Sequence, residues 1–143
     1  MNKKLLHTLS LMMVTICLSA CSTNNPSGIA KQWMTATLTA DGATTLKLTC
    51  ESMRETVQMQ GLLSASFSML FQTQGMNSQD AKTDLSDIKF DTVERKGDNA
   101  VVNVSGEVIV SFLGAAMPQE INESWVMVRE DGDWKWCGVV TSD

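Results

Sequence analysis

The hydrophobic period of this chain changes once, near Asp87, and that change limits the fold more than any other feature. Before it, apolar residues recur at helical spacing; after it, they alternate. Ile88 and Phe90 alternate with Asp87, Lys89 and Asp91. Lys96-Gly97-Asp98-Asn99 is turn chemistry. Ala100, Val102, Val104, Val108, Val110 and Phe112 then fall on one face of a long strand, with Asn103, Ser105, Glu107 and Ser111 on the other. Gly106, inside that strand, predicts a bulge or a bend. Residues 114–119, with Pro118 among them, read as the next connection, and residues 121–129 as a third strand. Asp131-Gly132 is a hairpin signal before a last strand at 134–140.

The helical half is punctuated just as clearly. Asn25-Pro26 reads as an N-cap followed by proline in the first turn, opening a helix to about Leu38. Ile29, Ala30, Trp33, Met34 and Leu38 share one side of it. Asp41-Gly42 breaks that helix, and a short second one is expected over 43–48. Ser52-Met53-Arg54-Glu55 matches a capping box. The segment after it carries the stripe Met53, Val57, Leu63, Phe67, Leu70 and Phe71 to about Gln72. Gly61 interrupts the stripe as a point of close packing or a bend, Gly75 is the expected stop, and residues 76–86 read as a loop, or a loop with a helical turn. Helices followed by consecutive antiparallel strands predict an α+β domain, with helices packed on one face of a curved, four-stranded sheet.

The first 20 residues stand apart. Lys3 and Lys4 precede an apolar run over 5–20 that ends Leu18-Ser19-Ala20-Cys21. A basic head, an apolar middle and small residues at the cut describe a secretory signal. The run is also short of the roughly 20 apolar residues of a spanning helix. The final four residues resemble a bacterial lipobox, which makes Cys21 the lipidated residue. The expected organisation is a removed signal (1–20), a lipidated tether (21–26) and one domain (27–143). More than one acyl chain gives stable anchoring. Ser22, where an aspartate resembles an inner-membrane retention mark, points to the outer membrane and a periplasm-facing domain, if the source has two membranes.

Removing residues 1–20 from the 143-residue chain leaves 123 residues, enough for one domain with a real core. Without Lys3 and Lys4, 9 basic side chains face 16 acidic ones, a formal charge of −7. That balance argues against nucleic acid as a partner. Four cysteines reduce to Cys21, Cys50 and Cys137, and lipid consumes Cys21. The remaining two thiols lie in an oxidising compartment, where pairing is the default, so a Cys50–Cys137 disulfide is expected. No metal site or cofactor is expected, since the one histidine, His7, lies in the signal.

The helical order and the closing hairpin, Trp125-Val126-Met127-Val128-Arg129-Glu130-Asp131-Gly132-Asp133-Trp134-Lys135-Trp136-Cys137, resemble the nuclear-transport-factor-two-like (cystatin-like cone) superfamily. Within it, residues 27–141 are most similar to the lumazine-binding-like lipoprotein domains of bacteria. The resemblance implies a cone whose sheet wraps around the helices, often with a pocket between them. Enzymes of that superfamily set a buried carboxylate base against hydrogen-bond donors, often tyrosine; this chain has no tyrosine. The expectation is therefore a non-enzymatic, lipid-anchored module binding a small apolar ligand or a protein partner. Two alternatives stand beside it: an isomerase- or cyclase-like enzyme, and a homodimeric structural or assembly factor. Glu107 and Glu123 are the carboxylates in strand positions that an enzyme would use. Trp33, Trp125, Trp134 and Trp136 are the pocket-or-core aromatics. Ser64, Ser66 and Ser68 lack the setting of a nucleophile. Asp131-Gly132-Asp133 is too short for a calcium loop. Asn103-Val104-Ser105 and Asn122-Glu123-Ser124 match glycosylation acceptors, but within expected strands of a bacterial chain.

Overall fold

A computed structural model describes residues 24–73, 82–112 and 115–140. Cys21 and the signal lie outside the described residues. So do Gly75 and the first part of the expected 76–86 loop, and the side chains of Phe67, Leu70, Phe71 and Phe112. In chain order the elements are α1 (Pro26–Leu38), α2 (Gly42–Lys47), α3 (Glu51–Thr73), β1 (Lys82–Asp84), β2 (Lys89–Lys96), β3 (Asn99–Phe112), β4 (Ala115–Glu130) and β5 (Asp133–Val139). Three helices pack against an antiparallel sheet curled into a half-barrel, the α+β cone-like arrangement expected.

Local chemistry sets the helix ends. Asn25 caps α1, its side-chain oxygen accepting from the Gly28 amide at 2.7 Å. Pro26, counted with the tether by its sequence, is the first residue of α1 and is buried. Ile29, Ala30 and Met34 of α1 are buried against the sheet. Asp41 caps α2 by accepting from the Thr44 amide at 3.1 Å.

Residues 48–50 then run beside β5 in the parallel sense. Trp136 donates its amide to the Leu48 carbonyl (2.8 Å), and Cys50 donates to the Trp136 carbonyl (2.9 Å). This short stretch covers an edge of β5 that would otherwise invite pairing with another chain. It also displaces the expected capping box. The chain leaves the sheet edge at Cys50, so α3 starts at Glu51 and Ser52 is already inside it. The first amide of α3 donates instead to the Glu130 carboxylate of β4, at 3.1 and 3.2 Å. An acidic group at a helix N-terminus is favourably placed.

The sheet has five strands rather than four. β3 is its spine. Along one edge β3 pairs with β1 at its far end and with β2 at its near end. Along the other it pairs with β4 for its whole length. β1 falls in the segment read as loop, because three residues of Lys-Thr-Asp carry no apolar alternation. Residues 85–88 cross between β1 and β2 over Gly106. Gly106 has φ 132°, and a Cβ there would land on the Asp87 carbonyl oxygen. The glycine therefore marks a close backbone approach rather than a bulge. The β2–β3 ladder shifts register elsewhere, between Thr92 and Glu94.

Of the expected connection at 114–119, Gly114 lies outside the described residues and 115–119 belong instead to β4, with Pro118 opposite Ile109. The Ser124 carbonyl accepts from Val140 on the β5 side. Even-numbered residues of β4 therefore direct their backbone groups to that side. The registered β4–β5 pairs run only from Trp125 to Glu130. Pro118 thus withholds an amide from an edge with no registered partner among the described residues, where its loss costs no ladder bond to them.

The concave face is lined by Ala100, Val102, Val104 and Val108 of β3 and by Trp125, Met127, Trp134 and Trp136 of β4 and β5. With α1, Leu48, Val57 and Ile88 these form the core. No described helix is long and apolar enough to cross a membrane.

Candidate functional site

Four tryptophans pack in or against the core on the concave face of the half-barrel. Trp33 of α1 stacks on Trp136, with centroids 4.0 Å apart and planes 16° from parallel. Trp125 meets both edge-on, at 5.3 and 6.2 Å, and Phe90 approaches Trp125 at 6.4 Å. These are the favoured geometries of aromatic pairs. The Trp33 indole donates to the Thr49 hydroxyl at 2.9 Å, and Thr49 donates onward to the Thr45 carbonyl at 2.7 Å. Trp134 is fully buried, with the Arg95 and Arg129 guanidinium groups each 5.2 Å from its ring. The tryptophans are therefore packing. The indole N–H groups of Trp134 and Trp136 are buried with no hydrogen-bond partner among the described residues, as is Arg129 Nε.

The cavity of note lies on the opposite face of the sheet. It holds about 410 Å³, opens broadly to solvent, and is lined by Glu94, Lys96, Asn99, Ala100, Val101 and Val126. Val101 and Val126 alternate with buried Ala100, Val102, Trp125 and Met127, so they face away from the tryptophans.

The strand carboxylates divide by face. Glu107 is half-buried on the outer face and lies directly opposite Glu120. Glu123 shares the register face of Val104 and Trp125 but is exposed, and its Oε2 accepts the Trp125 indole N–H at 2.8 Å. No described Asp or Glu is buried. Two carboxyls are displaced from the usual aspartate range, both downward. Asp41 is held down by its side-chain and backbone hydrogen bonds to Thr44, and Asp84 by the backbone and side chain of Ser86. Neither is poised for proton transfer near neutral pH.

Ser64, Ser66 and Ser68 each donate to the carbonyl four residues back, at 3.0, 2.9 and 3.0 Å. Asp131 (φ 53°) and Gly132 (φ 87°) make the two-residue turn between β4 and β5. Among the described residues no group of three or more His, Cys, Asp or Glu could hold a metal. Cys50 and Cys137 are joined, with Cα atoms 5.2 Å apart and the Ser52 hydroxyl 3.2 Å from one sulfur and 3.5 Å from the other. Their meeting is an in-plane one between neighbouring edge segments, rather than a bond from a helix laid across the sheet.

Two features escaped sequence reasoning. The Asn-x-Ser triplets face each other across β3 and β4, Asn103 opposite Ser124 and Ser105 opposite Asn122, making a polar rung on the outer face. The repeated triplet was the available signal. The other feature is α3. Its residues 58–66 are all exposed, and Met59, Leu62, Leu63 and Met69 are 58–68% exposed. Of the expected stripe, Val57 is buried and Met53 packs on the core, Leu63 faces solvent, and the side chains of Phe67, Leu70 and Phe71 lie outside the described residues. Comparison of the chain with protein-family models, with curated proteins and with solved structures finds no match.

Proposed function

We propose that this chain is an outer-membrane lipoprotein, anchored through Cys21 and facing the periplasm, that binds a protein partner and performs no chemistry of its own. The observation that carries the binding reading is the distribution of apolar surface. The interior of the cone is filled by Trp33, Trp125, Trp134 and Trp136, while Met59, Leu62, Leu63 and Met69 of α3 are left to solvent. Tryptophans packed into the described interior argue against an enclosed site there on the usual ligand scale of several hundred cubic ångströms. Contiguous exposed apolar surface marks contact with another macromolecule. The resemblance to the lumazine-binding-like lipoprotein domains and the lipobox-like ending at Cys21 support the anchor. The isomerase-like alternative finds no buried carboxylate among the described residues to serve as its base.

Two measurements test this. Native mass spectrometry of the detergent-solubilised protein is expected to give the lipidated polypeptide without a retained small molecule. A stoichiometric adduct of a few hundred daltons would replace partner binding with ligand binding. A photo-crosslinker at Leu62 in the full lipidated chain is expected to trap one discrete protein, and one at exposed Asp91 is not. Equal trapping at both positions refutes α3 as the contact, and a product of twice the chain's mass identifies a second copy as the partner.

A further inference from the structure

We infer that the pole bearing the β2–β3 and β4–β5 turns is the lipid-facing surface of the protein, with the far end of the β3–β4 hairpin standing away from the bilayer. The inference rests on Cys21 being the lipidated residue. The exit of the chain toward Cys21 is fixed to the domain, because Asn25 caps α1 and Pro26 is buried. One residue earlier, Asn24 is tied to the β4–β5 turn. Its Nδ2 donates to the Gly132 carbonyl and to Asp133 Oδ1, both at 3.3 Å, and its Oδ1 accepts from the Trp134 amide at 3.4 Å. Cys21 is three residues before Asn24, a reach of at most about 11 Å even fully extended. The acyl chains therefore hold this pole, and no other, against the headgroups.

Strand direction gives the opposite end. β3 leaves the turn pole at Asn99 and ends at Phe112, and β4 returns from Ala115. Its 14 residues span about 45 Å at about 3.3 Å per residue. Such an arm, on a short tether, either lies along the bilayer or stands off it. Charge decides between them. From Ser105 to Glu123 the chain carries Glu107, Glu120 and Glu123 and no Lys or Arg; β1 and residues 85–88 alongside add Lys82, opposite Ser111, but also Asp84 and Asp87, so this part of the sheet stays net negative. Glu107 and Glu120 lie opposite each other, doubling the negative charge at one level of the arm. Anionic headgroups repel that surface, so the arm stands.

The test uses the full lipidated protein in vesicles containing anionic lipid. A fluorophore is placed at Asp131→Cys or Ala116→Cys with the Cys50–Cys137 bond intact, and the lipid headgroups carry a quencher. Quenching is expected to be several-fold stronger at position 131 than at 116. Inserting about ten Gly and Ser residues between Ser22 and Thr23 is expected to shrink that contrast, because a flexible linker of that length frees the pole. Equal quenching, or stronger quenching at 116, overturns the orientation. Protein that fails to float with the vesicles refutes the anchor and this inference with it. Flotation with the ranking reversed refutes the orientation alone.

Discussion

Replacing Gly106 with alanine is expected to destabilise the domain by about 2–6 kcal/mol. Two costs combine. The backbone there has φ 132°, a region that side-chain-bearing residues rarely adopt, and holding a non-glycine residue in it costs on the order of 1–3 kcal/mol. The added Cβ would also collide with the Asp87 carbonyl oxygen, with the Asp87 carbonyl carbon 3.1 Å away and Ile88 Cα 3.2 Å away. These are backbone atoms, so no side-chain rotation relieves the clash, and overpacking of this kind costs about 1–3 kcal/mol. Residues 85–88 must lift off β3, and Ile88, only 8% exposed, must leave the core with them. Urea unfolding of the mature protein, followed by tryptophan fluorescence, measures the change. Phe90 lies opposite Val104, two residues from Gly106, and packs on Trp125, so the Trp125 emission is expected to redden even before unfolding. A loss below about 0.5 kcal/mol would show that the crossing of residues 85–88 over Gly106 is misplaced.

Three further outcomes are expected. The Cys50→Ala, Cys137→Ala pair opens a loop of 88 residues, counted from one cysteine to the other, and is expected to cost about 4–5 kcal/mol on the chain-entropy account; free thiols in the unreduced native protein, measured by alkylation and mass spectrometry, would contradict the bond. Gly61→Ala is expected to stabilise by about 0.5–1 kcal/mol, since an added Cβ meets nothing within 4 Å in an exposed helix interior; a loss of thermal stability would mean that something packs there. Asp41 is held below its ordinary pKa of 3.8 by hydrogen bonds to Thr44, so its contribution is present above that pH and is lost as pH falls through the lowered value. Asp41→Asn keeps an acceptor at the cap and is expected to flatten stability against pH in that acid range, as read by denaturation at several pH values, while leaving neutral stability nearly unchanged.

The parts of the fold legible in the sequence are those where one local signal decides the matter. Asn25-Pro26, Asp41-Gly42, Lys96-Gly97-Asp98-Asn99 and Asp131-Gly132 each fix a chain reversal or a cap by their own backbone preferences. The alternation along Ala100, Val102, Val104 and Val108 names the buried face of β3. The rest depends on neighbours distant in sequence. Ser52-x-x-Glu55 has the form of a capping box, but a carboxylate 79 residues away takes the amide, because residues 48–50 are already engaged with β5. Pro118 reads as a strand breaker, and it would be one on the paired side. Its tolerance depends on β5 ending short of it. β1 has no apolar residue to announce it. Of the candidate site, the tryptophans were visible as residues but not as a plug. The exposure of Met59, Leu62, Leu63 and Met69 was not visible at all, since Met and Leu on a helix look the same whether or not anything covers them.

That exposure is coupled to how α3 is held. Its first two turns are fixed three ways: by the Cys50–Cys137 bond, by the Glu130 carboxylate on the Glu51 amide, and by the burial of Val57. Beyond Val57 no residue through Ser66 is buried. Full burial of one large apolar side chain contributes about 1.5–3 kcal/mol. Met59, Leu62, Leu63 and Met69 therefore represent a stabilisation the isolated domain forgoes, of a size comparable to its whole stability. A helix so exposed would fray or detach if its packing alone held it. A covalent link at its base removes that penalty, because the anchored turn nucleates the turns that follow, and propagation adds one hydrogen bond per residue ordered. The disulfide and the bare apolar stripe are thus two sides of one arrangement. Reducing the bond should accordingly weaken any contact made through Leu62 and Leu63, even though neither residue touches the sulfurs.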